Sequence, residues 1–210
     1  MSDTIRDSVL LEALPEIAMS GVSQATLLKA AKKAKIGERE LLDSFPQGAV
    51  SLVEAFSHWA DRRMAERLDA QAKARMRERI TAAVRARLEV LGPHKEAVRH
   101  VTAFLAQPQH AALAAKLMMG SVDAMWRACG DRSSDFSYYT KRATLAAVYG
   151  ATFAHWLSDA SEGHTATWAF LDQRIDNVMS FEKFKGTVKA TIAKLPRPRD
   201  LFNALRGRSG

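Results

Sequence analysis

The sequence predicts an all-α protein. Apolar residues recur at steps of three and four along nearly the whole chain, and no segment alternates apolar and polar residues for long enough to make a strand. The breaks in that periodicity fall at Gly and Pro. With 210 residues the chain can bury a substantial core, as one helical domain or one domain with a small appendage. Its 47% hydrophobic and 26% charged residues are globular proportions. A single cysteine, Cys129, excludes a disulfide framework and a four-cysteine zinc site and suits a reducing compartment.

The elements follow in order. Thr4 to Met19 sets Ile5, Val9, Leu10, Leu14 and Ile17 on one side of a first helix, with Pro15 as a kink point. Gly21 ends it, and Ser23 is placed to cap a second helix through about Ala34. Gly37 opens a short third helix, Glu38 to Phe45. After Pro46 and Gly48 a fourth runs from Val50 to about Asp69. Lys73 to Leu91 reads as a long basic helix closed by Gly92-Pro93, and His94 to Leu105 as the next. Pro108 suits the first turn of a helix reaching about Cys129. Gly130 to Ser134 is a loop, and helices over Asp135 to Leu157 and Thr165 to about Met179 follow.

The helix from Pro108 carries Lys116, Asp123 and Arg127 in one narrow stripe, which predicts that most of its circumference is buried. It and the following helix mix small residues (Ala114, Ala115, Ala146, Ala147) with large ones (Met118, Met119, Met125, Trp126). Two readings stand: a solid core, or a cavity for a long apolar ligand. At the corner between these helices, Tyr138 and Tyr139 beside Asp and Arg have the composition of either core or a protein-binding surface.

Charge is concentrated at the end of the chain. From Lys183 to Gly210 there are eight Lys or Arg against one acid, a net of +7 out of +8 for the whole sequence. Phe181, Phe184, Val188, Ile192 and Leu195 are spaced to form one apolar stripe along a helix. A basic amphipathic helix of this kind lies on anionic membrane surfaces, so Phe184, Lys185, Val188, Lys189, Ile192 and Leu195 are the expected membrane-docking residues. Pro196 and Pro198 interrupt the tail beyond them. Met1 to Asp7 has acids and no apolar region, so no secretory signal or transit peptide is expected there. The longest uncharged run, Ala143 to Ser158, is short of the roughly twenty residues a spanning helix needs. The expectation is a bacterial-type cytoplasmic protein peripherally associated with the inner membrane.

Three short N-terminal helices before a long helical body are the layout of TetR-type regulators, with Ser23 to Ala34 as the positioning helix and Glu38 to Phe45 as the reading helix. Charge argues against DNA as a partner. Residues 1–45 hold six bases and seven acids, and the reading helix sets Arg39 against Glu38, Glu40 and Asp43. DNA affinity rests largely on neutralising phosphates. The lysines over 29–35 are the remaining argument for a TetR-type DNA-binding regulator with an apolar pocket, the alternative reading.

The segments SVDAMWRACGDRSSDFSYYTKRATLAAVYGATFAHWLSD (121–159), TWAFLDQRIDNVM (167–179) and FPQGAVSLVEAFSHWADRRM (45–64) resemble the Coq-nine family, lipid-binding accessory proteins of ubiquinone biosynthesis. The resemblance runs from about Leu10 to Lys185. It implies a TetR-like helical bundle with an N-terminal helix-turn-helix-like three-helix unit and a C-terminal amphipathic helix. It further implies a pocket for an isoprenoid lipid or quinone intermediate between the central helices, with a lining expected from Leu113, Leu117, Met118, Trp126, Leu145, Val148, Tyr149, Phe153 and Trp156. Asp123, Met125, Asp135, Tyr138 and Tyr139 match the family's patch and are implied to face the di-iron demethoxyubiquinone hydroxylase. The expected organisation is 1–48 for the N-terminal unit, 49–182 for the lipid-binding body and 183–210 for the membrane-docking tail. A homodimer is expected by analogy with TetR-type bodies, which pair through their last two long helices.

No catalytic residue, metal or cofactor is expected of this chain itself. A di-iron bundle needs Glu-x-x-His on two helices, and no Glu here has His three residues on. The six histidines form no HExxH, and there is no GxSxG or P-loop. Glu54 with His58, and Asp172 with Asp176, read as solvated helix faces.

Overall fold

The computed structural model describes residues 2–68, 74–131 and 136–177. Among them the regular structure is helical throughout: α1 (Ser2–Ser20), α2 (Gln24–Lys33), α3 (Glu38–Ser44), α4 (Ala49–Leu68), α5 (Met76–Leu91), α6 (Lys95–Leu105), α7 (Ala111–Ala128), α8 (Phe136–Ser158) and α9, over 165–177. Single 3₁₀ turns at Gly92–His94, Pro108–His110 and Glu162–His164 lead into α6, α7 and α9. The chain divides into two units, Met1–Leu171 and Asp172–Gly210. The expected amphipathic tail lies outside the described residues.

Local chemistry sets the boundaries. Gly21 takes φ +77°, a conformation that ends α1, and Ser23 Oγ then accepts from Thr26 N at 3.1 Å to cap α2. Gly37 N donates to Glu40 Oε2 at 3.3 Å at the start of α3. Pro15 does not break α1. It is exposed, so the carbonyl it deprives of a partner is open to water. At the far end, Asp159 accepts from Ser161 N at 2.8 Å, Thr167 N at 3.0 Å and Thr167 Oγ1 at 2.6 Å. These donors hold its carboxyl well below the usual carboxylate range and fix the first turn of α9.

The core is built from one stripe per helix. Val9, Leu10, Ala13 and Ile17 of α1 are fully buried, with α1 packed against α2 and α6. Each such Leu or Ile stabilises the fold by about 1.5–3 kcal/mol. α4 contacts α5 and α7, and α7 contacts α8. The expectation that α7 is buried around most of its circumference is not met. Leu117, Ser121, Val122 and Met125 are buried, whereas Ala111, Ala112, Ala115, Met119 and Gly120 are exposed. An uncharged helix face made of small residues can face water, because apolar atoms supply much of any protein surface.

Candidate functional site

A cavity of about 360 Å³ opens between five helices. Its walls are Val53 and Phe56 of α4, Leu91 of α5, Val98, Val101 and Leu105 of α6, Ala114, Leu117 and Met118 of α7, and Phe153 of α8. The periodicity of each helix delivers these residues: Val53 with Phe56, Val98 with Val101 and Leu105, and Ala114 with Leu117 and Met118 stand three or four apart, on one face. α8 comes close to α7 where it lacks a side chain. A Cβ at Gly150 would stand 3.7 Å from Met118 Cε.

One end of the cavity is polar. Arg87 of α5 is buried and donates from Nε to Asp61 Oδ1 at 2.7 Å, from Nη2 to Ser57 Oγ at 3.1 Å, and from Nη1 to the Tyr149 hydroxyl. Ser121 Oγ donates to Asp61 Oδ2 at 3.2 Å, and lies 3.4 Å from Ser57 Oγ. Burial works against the Arg87 charge, but Tyr149 and Asp61 outweigh it and the guanidinium is held above its ordinary range. Burial pushes the Tyr149 phenol up, so it is neutral at pH 7. Ser57, Arg87, Ser121 and Tyr149 all border the cavity, while Asp61 stands behind them.

Of the nine residues expected to line a pocket, Leu117, Met118, Tyr149 and Phe153 border this one. Leu113, Trp126, Leu145, Val148 and Trp156 do not. Leu145 and Val148 are buried elsewhere along α8. Trp156 is fully buried with its ring 5.9 Å from that of His164 and under Lys95 Nζ at 5.1 Å. Trp126 sits beneath Lys141, whose Nζ is 5.6 Å from its ring centre. The walls from α4, α5 and α6 and the Arg87 cluster have no counterpart in the expected lining. One signal for the cluster was present: Arg87 follows Ala83 and Val84 and precedes Leu91 at helical spacing, a cation on the apolar stripe of α5.

A second feature stands on the same two helices. α7 ends in a left-handed turn at Gly130, φ +76°, closed by Asp131 N donating to Trp126 O at 3.0 Å. The turn brings Asp131 under α8, where Lys141 Nζ donates to its Oδ1 at 3.1 Å and Arg142 Nη1 to its Oδ2 at 3.4 Å. Arg142 also donates from Nε to Asp123 Oδ1 at 2.7 Å, and Tyr138 Oη reaches the same oxygen at 3.3 Å. Arg127 pairs with the other carboxylate oxygen of Asp123. Tyr138 and Tyr139 meet edge to face at 5.2 Å, and Tyr139 is 71% exposed. Met125, implied to be part of the patch, is instead 0% exposed: its place on the helix turns it into the core. Asp135 lies outside the described residues, as do Phe184, Lys185, Val188, Lys189, Ile192 and Leu195.

At the other end, α3 exposes Glu38, Arg39, Glu40, Leu42 and Asp43. Glu16 takes up part of the neighbouring lysine cluster, accepting from Lys33 at 2.7 Å with Lys29 at 3.8 Å. The hydrogen bond from Lys33 keeps the Glu16 carboxyl low. Cys129 is buried and its thiol is pushed up to about 11 by that burial, which leaves it without nucleophilic character at neutral pH.

The arrangement can be set beside known proteins. The fold is similar to the crystal structure of a TetR transcriptional regulator from Nitrosomonas europaea, with a TM-score of 0.65 at 20% identity over 82% of this chain and 97% of that one. Residues 111–182, the stretch that supplies one wall of the cavity and the whole tyrosine patch, match the COQ9 family model. The chain is 32% identical to the mitochondrial ubiquinone biosynthesis protein COQ9 of Drosophila melanogaster over 187 residues, 86% of this chain and 57% of that protein. It is 37% and 35% identical to the COQ9 proteins of Rattus norvegicus and Homo sapiens over 105 residues, half of this chain and about a third of theirs. Across α7 to α9 the chain is thus similar to the COQ9 family, and it spans little more than half the length of the Drosophila relative.

Proposed function

We propose that this protein is a lipid-binding accessory protein of ubiquinone biosynthesis, which holds an isoprenoid or quinone intermediate and offers it to the demethoxyubiquinone hydroxylase at a membrane. The observation that carries the proposal is the pairing of an apolar cavity with an exposed tyrosine patch on the same two helices, α7 and α8. Drawing a prenyl chain from bilayer into water costs about 0.8 kcal/mol per methylene, and a greasy cavity removes that cost. Ligand pockets run from about 300 to 1,000 Å³, so a cavity of about 360 Å³ takes one part of a long prenylated molecule and leaves the rest to the bilayer. The basic stripe over 183–195 supplies the membrane contact. No described helix is long and apolar enough to cross a membrane.

The patch chemistry suits a protein partner. Tyr139 presents a rigid aromatic ring, backed by Tyr138 and the Arg142–Asp123 pair, the residue types that dominate binding energy at interfaces. The role is one of binding: the oxidation belongs to the hydroxylase. A homodimer, by analogy with TetR-type bodies, completes the proposal. Mass spectrometry of organic extracts of the purified full chain tests the central claim. A prenylated quinone or related isoprenoid is the expected species; extracts containing none would remove the basis for the proposal.

A further inference from the structure

The cavity is apolar except at one end, and the chemistry of that end selects among ligands. Arg87 has five N–H groups, and three of them go to Asp61, Ser57 and Tyr149. Tyr149 spends its oxygen as the acceptor for Arg87, so its own O–H has no acceptor among the described residues. Two guanidinium N–H groups and one phenol O–H are therefore left over in residues that border the cavity, in surroundings from which water is largely excluded. A buried donor without an acceptor is costly, which favours a ligand that brings one.

Charge narrows the class of acceptor. Asp61 already balances Arg87, so this end of the cavity is close to neutral overall. A carboxylate or phosphate entering here would set a second anion beside Asp61 and lose its hydration without a free cation in exchange. A carbonyl oxygen needs no counter-charge and can accept two hydrogen bonds. We infer that the Arg87–Tyr149 end of the cavity seats a neutral, hydrogen-bond-accepting oxygen on an otherwise apolar ligand, the chemistry of a quinone carbonyl. The inference rests on the proposed lipid-binding role and adds which end of the ligand enters first. The oxygen-bearing ring lies against Arg87 and Tyr149, and the tail runs along the apolar walls supplied by α6 and α7. Ser121, at the polar end, is two residues along α7 from Asp123 of the patch, a rise of about 3 Å. The ring is thereby held on the stretch of helix that carries the partner surface.

The test compares three probes on the delipidated full chain by titration calorimetry: a decyl-substituted dimethoxybenzoquinone, decylbenzene and decanoate. The quinone is expected to bind at least tenfold tighter than decylbenzene, and decanoate more weakly than the quinone. Tyr149→Phe is expected to weaken the quinone at least fivefold and decylbenzene less than twofold. In the wild type, the infrared C=O band of the bound quinone should fall below its frequency in hexane, a readout independent of how well the variant folds. Equal affinity for quinone and decylbenzene with an unshifted carbonyl band, or preference for decanoate, would overturn the inference and leave the lipid-binding proposal standing. Failure of all three probes to bind would overturn both.

Discussion

The guanidinium carbon of Arg142 lies 3.4 Å from the centre of the Tyr138 ring, while its nitrogens bind Asp123 and Asp131. A buried cation thus supports half-buried Tyr138 and its exposed neighbour Tyr139 from beneath and joins the end of α7 to the start of α8. Arg142 is only 5% exposed and Asp131 6%, so neither partner has water to fall back on. Arg142→Met is expected to cost about 3–5 kcal/mol, because it removes the buried cation that Asp123 and Asp131 share and leaves each with only its more exposed partner, Arg127 or Lys141. Calorimetry should show a melting point lower by roughly 6–20 °C, at about 2–4 °C per kcal/mol for a chain of this size.

Tyr139 behaves differently. Exposed as it is, Tyr139→Lys should change stability by no more than about 0.5 kcal/mol. The same change should abolish co-purification with the hydroxylase while leaving bound lipid unaltered. Met125→Ala offers the contrast: buried at 0% exposure, it should destabilise by about 2–5 kcal/mol before any effect on a partner is seen. Retention of the hydroxylase by Tyr139→Lys would refute the assignment of the patch.

Ala114 stands on the cavity wall, and Ala114→Phe places a ring in the open space. Lipid recovered from the purified variant should drop at least several-fold, with a melting point equal to or above that of the wild type. A core without room would instead lose about 1–3 kcal/mol to overpacking.

Asp159 gives a pH signature. Its carboxyl is held below the ordinary 3.8 first by the side-chain hydrogen bonds of Ser161 and Thr167. A carboxylate depressed in the folded state contributes stability that is complete above the unfolded-state value. The contribution is lost progressively as pH falls below that value toward the folded one. Asp159→Asn should therefore lower the melting point at pH 7, and the gap to wild type should close as pH drops below about 4. A gap that stays constant down to pH 2 would contradict the ionic origin of the effect.

The terminal segment is tested by deletion. A chain lacking residues 183–210 loses a net charge of +7 and should bind anionic liposomes more weakly than the full chain. The difference should shrink as salt is raised, because screening weakens attraction between charges in water.

The helices were legible in the sequence because their ends are marked by residues with local effects. Gly21, Ser23, Gly37 and Gly130 each act on the backbone within a few positions, and periodicity does the rest. The cavity was legible on one side only. Leu117, Met118, Tyr149 and Phe153 belong to helices whose composition is conspicuous, whereas the walls from α4, α5 and α6 come from ordinary amphipathic stripes. A stripe reports which way a helix faces, and whether the space it faces is filled depends on packing between segments far apart in the chain. The Arg87–Asp61 pair, 26 residues apart, shows the same limit. Met125 and Trp126 likewise follow from neighbours no pattern in their own helix contains.

Ser121 and Asp123 share a helix, and that has a thermodynamic consequence. Should α7 shift by even a fraction of an ångström when the cavity fills, Asp123 and Arg127 shift with it, and docking strength changes by some factor. On the proposed function, linkage then requires a docked hydroxylase to change the protein's grip on its cargo by the same factor. Loading and handover would be two readings of one equilibrium.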